Sequence, residues 1–195
     1  MSFTEKLNKW IWVGSGNLKK YQTMAQSSQK QKWIAIAYEQ FALQGWKGMK
    51  IDGLSQLVGV SKSSFYHHFA DMEILMALLL ENHLVQAKIL SQKESLAKSI
   101  EPELLNILCE HRIDLLFSRQ LRIHRDNAVF ANTISKTDQL VGDAIFLLWV
   151  RELNPKLGKN QLQSIFELAL ENFFLQMTPE NFSMAWLSSY FANLK

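Results

Sequence analysis

Ser61, Lys62, Ser63 and Ser64 stand together at the start of a short segment that continues through Phe65 into Tyr66, His67 and His68. Three hydroxyls and a flexible ammonium can meet acceptors on base edges or phosphates, and the phenol and imidazole further along suit the flanking backbone. Lys50 lies eleven residues upstream of Ser61, with Lys47, Lys30 and Lys32 further back as cations able to meet the same strand. The same residues would also serve as helix caps with a solvated lysine face. This is the chemistry of holding and reading a polyanion rather than of making bonds.

Other constellations offer little. His67 and His68 are adjacent and point to different sides of a helix, so they do not share a metal. Cys109 and His111, two residues apart, diverge by about 200° around a helix, which argues against a nucleophile–base pair. The Gly14-Ser15-Gly16 triplet lacks the lysine of a phosphate loop. No enzyme, metal or cofactor is expected.

The reading residues need a frame, and the spacing of apolar residues supplies one. Apolar side chains recur at three- and four-residue intervals almost throughout the 195 residues, which predicts an all-α protein. A first helix is expected over 28–44, burying Trp33, Ile34, Ala37 and Phe41, with Gly45 as a left-handed cap. A second covers 51–58, with Ile51, Leu54, Leu57 and Val58 on its apolar side and Gly59 at the turn. A third covers 62–68 behind Ser61, anchored by Phe65 and Phe69. Together these outline a helix-turn-helix, whose second helix enters the major groove. Asp71 reads as the cap of a long helix reaching about residue 91. Further helices are expected near 102–117, 119–133, 138–152, 160–176 and 180–192. The domain plan is an arm at 1–27, a head at 28–70 and a helical part at 71–195, whose first helix connects the two.

Charge divides the same way. Residues 1–70 hold nine lysines against Glu5, Glu39 and Asp52, a net of +6, while the remainder carries 12 basic and 15 acidic residues, a net of −3. A basic N-terminal part fits a nucleic-acid face, since phosphate neutralisation supplies most non-specific affinity. The single cysteine, the charged N-terminus and apolar runs no longer than seven residues point to a cytoplasmic protein with no membrane partner.

The stretch from Lys32 to Leu75 resembles the DNA-binding domain of TetR-type transcriptional regulators. The residues that carry the resemblance are Phe41 to Trp46, the Gly59-Val60-Ser61-Lys62 corner, and Phe65-Tyr66-His67-His68-Phe69 followed by Glu73 and Leu75. It implies that Lys62, Ser63 and Ser64 meet bases or nearby phosphates, with Tyr66 and His67 gripping the backbone. Lys50 and Ser61 flank this set. The family usually has a hydroxyl cap where Met49 or Lys50 stands, often a glycine where Ser63 stands, and commonly a lysine where Met72 stands.

The resemblance further implies a homodimer on a pseudo-palindromic double-stranded DNA operator, its two reading helices about 34–36 Å apart. The last two long helices would pair with those of a second subunit through Phe166, Leu170, Phe173, Phe174, Phe182, Trp186 and Tyr190. Phe117, Phe130, Phe146 and Trp149 are the candidates to line a small-molecule effector cavity between the middle helices, with ordinary core as the competing use. The dense polar set from His111 to Asp126 is either a site for an anionic or polar effector or a solvated, ion-paired face. The leading expectation is a repressor released by its effector. The alternative is a protein-binding adaptor that keeps the fold without operator binding, motivated by Met72 and the weak cap of the second helix, and acting through the Trp10 to Val13 patch.

Overall fold

The computed structural model describes residues 28–153 and 157–193, apart from the side chains of 142–144 and 152–153. Every regular element among the described residues is helical. Helix α1 spans 28–44 and runs into a 3-10 turn at Gly45–Met49; α2 (Ile51–Val58) and α3 (Lys62–His68) complete the head. The body holds α4 (Met72–Glu94), a π-turn (Ile100–Leu104), α5 (Leu105–Glu110), α6 (Arg112–Ile123), α7 (Ala128–Leu153), α8 (Lys159–Gln176) and α9 (Met184–Ala192).

The head closes on its aromatic residues. Trp33 of α1 meets Phe65 of α3 edge-to-face at 5.5 Å, and Phe65 touches Phe69 at 5.2 Å, with all three buried. Leu54 and Val58 bury the inner side of α2, while Leu57, expected on that side, is exposed. Gly59 ends α2 at φ 80°, a left-handed conformation that a side chain would oppose, and its N–H bonds the carbonyls of Ser55 and Gln56. Lys32 donates from Nζ to the Val58 carbonyl at 2.7 Å, so this lysine caps α2 instead of standing free at the surface.

The head is welded to the body through α1. Tyr38 stacks on Phe117 at 4.3 Å, Phe41 packs on both Phe117 and Phe130, and Trp46 stacks on Phe130 at 6.0 Å. Gly45, at φ 60°, approaches α6 so closely that a Cβ there would sit 2.7 Å from Gln120 Oε1. Asp71 caps α4 as its sequence position suggests, accepting from the Ile74 N–H at 2.9 Å. By length and composition α4 could cross a bilayer; here it is a central helix, packed chiefly on α7 and also on α5 and α6.

The body departs from the periodicity in three places. The helix expected over 102–117 starts at Leu105 and breaks at His111, where the backbone leaves the helical region. The pair expected over 119–133 and 138–152 is divided at 124–127 instead, because the Asn127 side chain accepts from the N–H groups of Val129 and Phe130 and starts α7 there. Thr178 and Asn181 do bond reciprocally, at 2.8 and 3.2 Å, but they close a turn. The last helix begins only after Ser183, which accepts from the Trp186 N–H. Periodicity carries no information about such local side-chain competition for backbone groups.

Candidate nucleic-acid interface and effector cavity

On α3 the reading residues come together on one exposed end of the head. Ser61, Lys62, Ser63, Tyr66 and His67 are exposed, Tyr66 to 60% despite its size, and Lys50 is exposed as well. Ser61 has the extended backbone of an N-cap, but its hydroxyl pairs with Ser63 Oγ at 2.7 Å and makes no cap bond. The two hydroxyls are therefore held by each other and remain at the surface. Ser64 differs: it is half-buried, and its Oγ accepts from Trp33 Nε1 at 3.4 Å. Its geometry suits orienting α3 on α1 better than reaching a base.

Lys62 Nζ forms an ion pair with Asp52, across the corner on α2. Both side chains are well exposed, so the pair is weak and open to exchange for a phosphate. Lys50 occupies the N-cap of α2 without a side-chain cap bond, since lysine has no acceptor to offer. Burial, reinforced by His67 and Lys30, pulls the His68 imidazole below its ordinary range, while Lys30 sits 5.8 Å over the Phe69 ring.

In the body, a cavity opens between α4, α6, α7, α8 and α9, with about 880 Å³ between atoms when its solvent mouth is counted. Of the four aromatic residues expected to line it, Trp149 does. Phe117 and Phe130 instead form the seam between head and body described above, and Phe146 packs behind the cavity against Trp149 and Phe166. Sequence spacing marks an aromatic residue as buried but not what it is buried against. The polar residues at the cavity, His83, Glu94, Ser118 and Asp138, carried no readable signal.

The cavity wall holds a chain of buried hydrogen bonds that reaches the head. Ser118 Oγ lies 3.0 Å from His83 Nε2, His83 Nδ1 lies 2.9 Å from the Tyr38 hydroxyl, and that hydroxyl donates to Asp114 Oδ1 at 2.8 Å. One proton order satisfies all three bonds: Ser118 donates to Nε2, Nδ1–H donates to Tyr38, and Tyr38 donates to Asp114. It requires a neutral imidazole. Burial, with Arg122 adding to it, lowers the His83 pKa to about 3, in agreement.

The polar set from His111 to Asp126 is largely spent inside the subunit. His111 Nδ1 pairs with Asp114 at 2.7 Å, Arg112 donates to the Pro179 carbonyl at 2.5 Å, and Arg122 binds Asp138 at 2.6 Å while lying over the Phe174 ring. The residues assigned to a subunit interface are placed in two ways. Phe166, Phe173, Phe174, Phe182 and Tyr190 are buried in the subunit's own core, and Leu170 and Trp186 are half-buried against it. The apolar residues that α8 leaves exposed are Ile165, Leu168 and Leu175. Spacing alone does not separate these, because α8 is apolar on nearly all sides and only its neighbours decide which side is covered.

Residues 34–79 match the family of bacterial regulatory proteins designated tetR. Over those residues the head is similar to the DNA-binding part of that family. Across the chain, the fold is similar to two solved structures described as candidate TetR-family transcriptional regulators. One, from Rhodococcus sp., is 17% identical with a TM-score of 0.52, and the similarity covers 86% of this chain and 97% of that one. The other, from Mesorhizobium loti MAFF303099, is 14% identical with a TM-score of 0.50, covering 86% of this chain and 93% of that one. At those identities the likeness is one of fold, and it extends the TetR-type architecture beyond the head into the helical body. No curated protein matches the chain's sequence. The Trp10 to Val13 patch and the rest of the arm lie outside the described residues.

Proposed function

We propose that this protein is a homodimeric, cytoplasmic repressor of the TetR type, binding a pseudo-palindromic operator through α3 and released by a small molecule held in the body cavity. The observation that carries the DNA-reading part is the grouping of Lys62, Ser63, Tyr66 and His67 on one exposed face, backed by a rigid aromatic core. In this reading Lys62 leaves Asp52 for a phosphate, Ser61 and Ser63 face the groove, and Tyr66 and His67 hold the flanking strand. The chain divides after residue 27 and again near residue 70, with α4 as the connecting helix.

Subunit pairing is assigned to the exposed strip Ile165, Leu168 and Leu175 of α8, since the buried phenylalanines of the same helix already have partners within the subunit. The release step is assigned to the buried bonds from cavity to head, because His83 and Asp114 line the cavity and both meet Tyr38 of α1. Selection of bound fragments from random duplex DNA tests the core of the reading. Enrichment of an inverted repeat by the wild type, lost in Lys62→Ala, is the expected outcome; no enrichment by either protein overturns it. A protein-binding adaptor is the second reading, favoured by the neutralisation of Lys62 by Asp52, and it predicts weak DNA affinity with a flat salt dependence.

A further inference from the structure

Glu94 closes α4 from the inside. Its side chain lines the cavity, its exposure is 2%, and neither carboxyl oxygen has a hydrogen-bond partner among the described residues. Buried carboxylates are normally paired, and one left without a partner is costly. The other acidic groups at the same cavity are spoken for: Asp138 by Arg122, and Asp114 by His111 and Tyr38. Among the described residues no lysine or arginine lines the wall. Aromatic rings do, among them Trp149, Phe166, Phe173 and Tyr190, and the indole N–H of Trp149 is likewise unpartnered.

We propose that the cavity binds an apolar organic cation, with Glu94 as its counter-charge and the aromatic wall as its bed. This inference names the ligand class for the effector reading above and rests on it. A neutral hydrocarbon would leave both Glu94 oxygens unmatched, and an anion would meet three carboxyl groups with no cation at the wall. An ammonium group supplies the missing charge, and aromatic faces attract it further when water is excluded. The apolar side chains of the lining receive the apolar part of the ligand, as in most small-molecule sites.

The proton balance follows from the environment. Burial pushes the Glu94 pKa up to about 8, so near neutral pH the empty cavity holds a carboxylic acid, and a cation binds as that proton leaves for solvent. The groups facing Glu94 from the other elements do not compete with it between pH 6 and 8. His83 on α4 is held neutral, Asp114 on α6 and Asp138 on α7 are engaged as described, and Tyr190 on α9 is pushed up to about 12. From α5 and α8 only apolar side chains reach the cavity.

The test compares benzyltrimethylammonium, whose charge does not titrate, with its uncharged carbon isostere neopentylbenzene, by calorimetry on the full-length protein. The cation is expected to bind more tightly than the isostere. Its affinity should rise about tenfold per pH unit toward pH 8, with release of about one proton per cation below that. Glu94→Gln, which keeps the shape, should weaken the cation at least about thirtyfold and remove the pH dependence. Equal or tighter binding of the isostere, cation binding unchanged in Glu94→Gln, or binding of neither probe overturns the inference. The first comparison needs only the wild type, so it stands even if the variant folds poorly. Cation binding that leaves the selected DNA complex intact supports the inference and removes the release reading instead.

Discussion

The Tyr38 hydroxyl donates to Asp114 Oδ1 over 2.8 Å, tying α1 of the reading head to α6 of the body. His83 meets the same hydroxyl from α4, so one oxygen is shared by three helices. Removing it in Tyr38→Phe leaves two buried polar groups short of a partner, at a cost of about 1–3 kcal/mol in urea unfolding. The variant should still bind a cavity ligand while its DNA affinity responds less to that ligand. An unchanged ligand response in DNA-binding titrations would remove Tyr38 from the coupling path.

Asp52 places a carboxylate on the face proposed to meet DNA. Asp52→Asn should raise duplex affinity and steepen its salt dependence by freeing Lys62. Lys62→Ala should lower affinity and reduce the salt slope by about one. Stability should change by less than about 1 kcal/mol in either, since the pair is well exposed. Fluorescence anisotropy across a salt series separates these outcomes.

Two glycines in the head should respond oppositely to alanine. A Cβ at Gly53 meets nothing within 4 Å, so Gly53→Ala should stabilise α2 by about 0.5–1 kcal/mol through backbone entropy. A Cβ at Gly48 would sit 2.6 Å from the Gln40 carbonyl oxygen, which is backbone and cannot give way, so Gly48→Ala should be destabilising. Thermal unfolding of the two variants should move in opposite directions.

Glu94 and His83 shape the pH dependence of stability with opposite signs. Glu94 titrates near 8 when folded and near 4.5 unfolded, so the native state holds the extra proton between those values and stability falls as pH rises through them. His83 titrates near 3 folded and near 6.5 unfolded, so the unfolded state holds the extra proton and stability falls as pH drops through that window. The two slopes offset each other from about pH 4.5 to 6.5. Above that, Glu94 alone acts, by up to about 1.4 kcal/mol per pH unit as far as pH 8. Urea midpoints should decline from pH 6.5 to 8 in the wild type and not in Glu94→Gln.

Leu168 and Leu175 are 72% and 76% exposed on α8 within one subunit. Leu168→Glu should shift the protein from dimer to monomer in sedimentation, because a charge in a subunit seam must be desolvated without a partner. A Phe166→Ala change, by contrast, should cost about 3–5 kcal/mol of subunit stability, since that ring is core.

The head was legible from its residues because its signals are local. Gly45 and Gly59 adopt the positive φ that their position after a helix demands, Asp71 caps the helix that follows it, and Phe65 and Phe69 recur at the helical interval and lie inside. Each depends on atoms a few positions away along the chain, so spacing alone carries the information. What Phe117 and Phe130 touch, which side of α8 is covered, and that Glu94 is enclosed without a partner were settled only by tertiary packing. Burial and pairing depend on helices distant in sequence, and an apolar ring or a carboxylate reads the same in a string whether its neighbour is core, cavity or water.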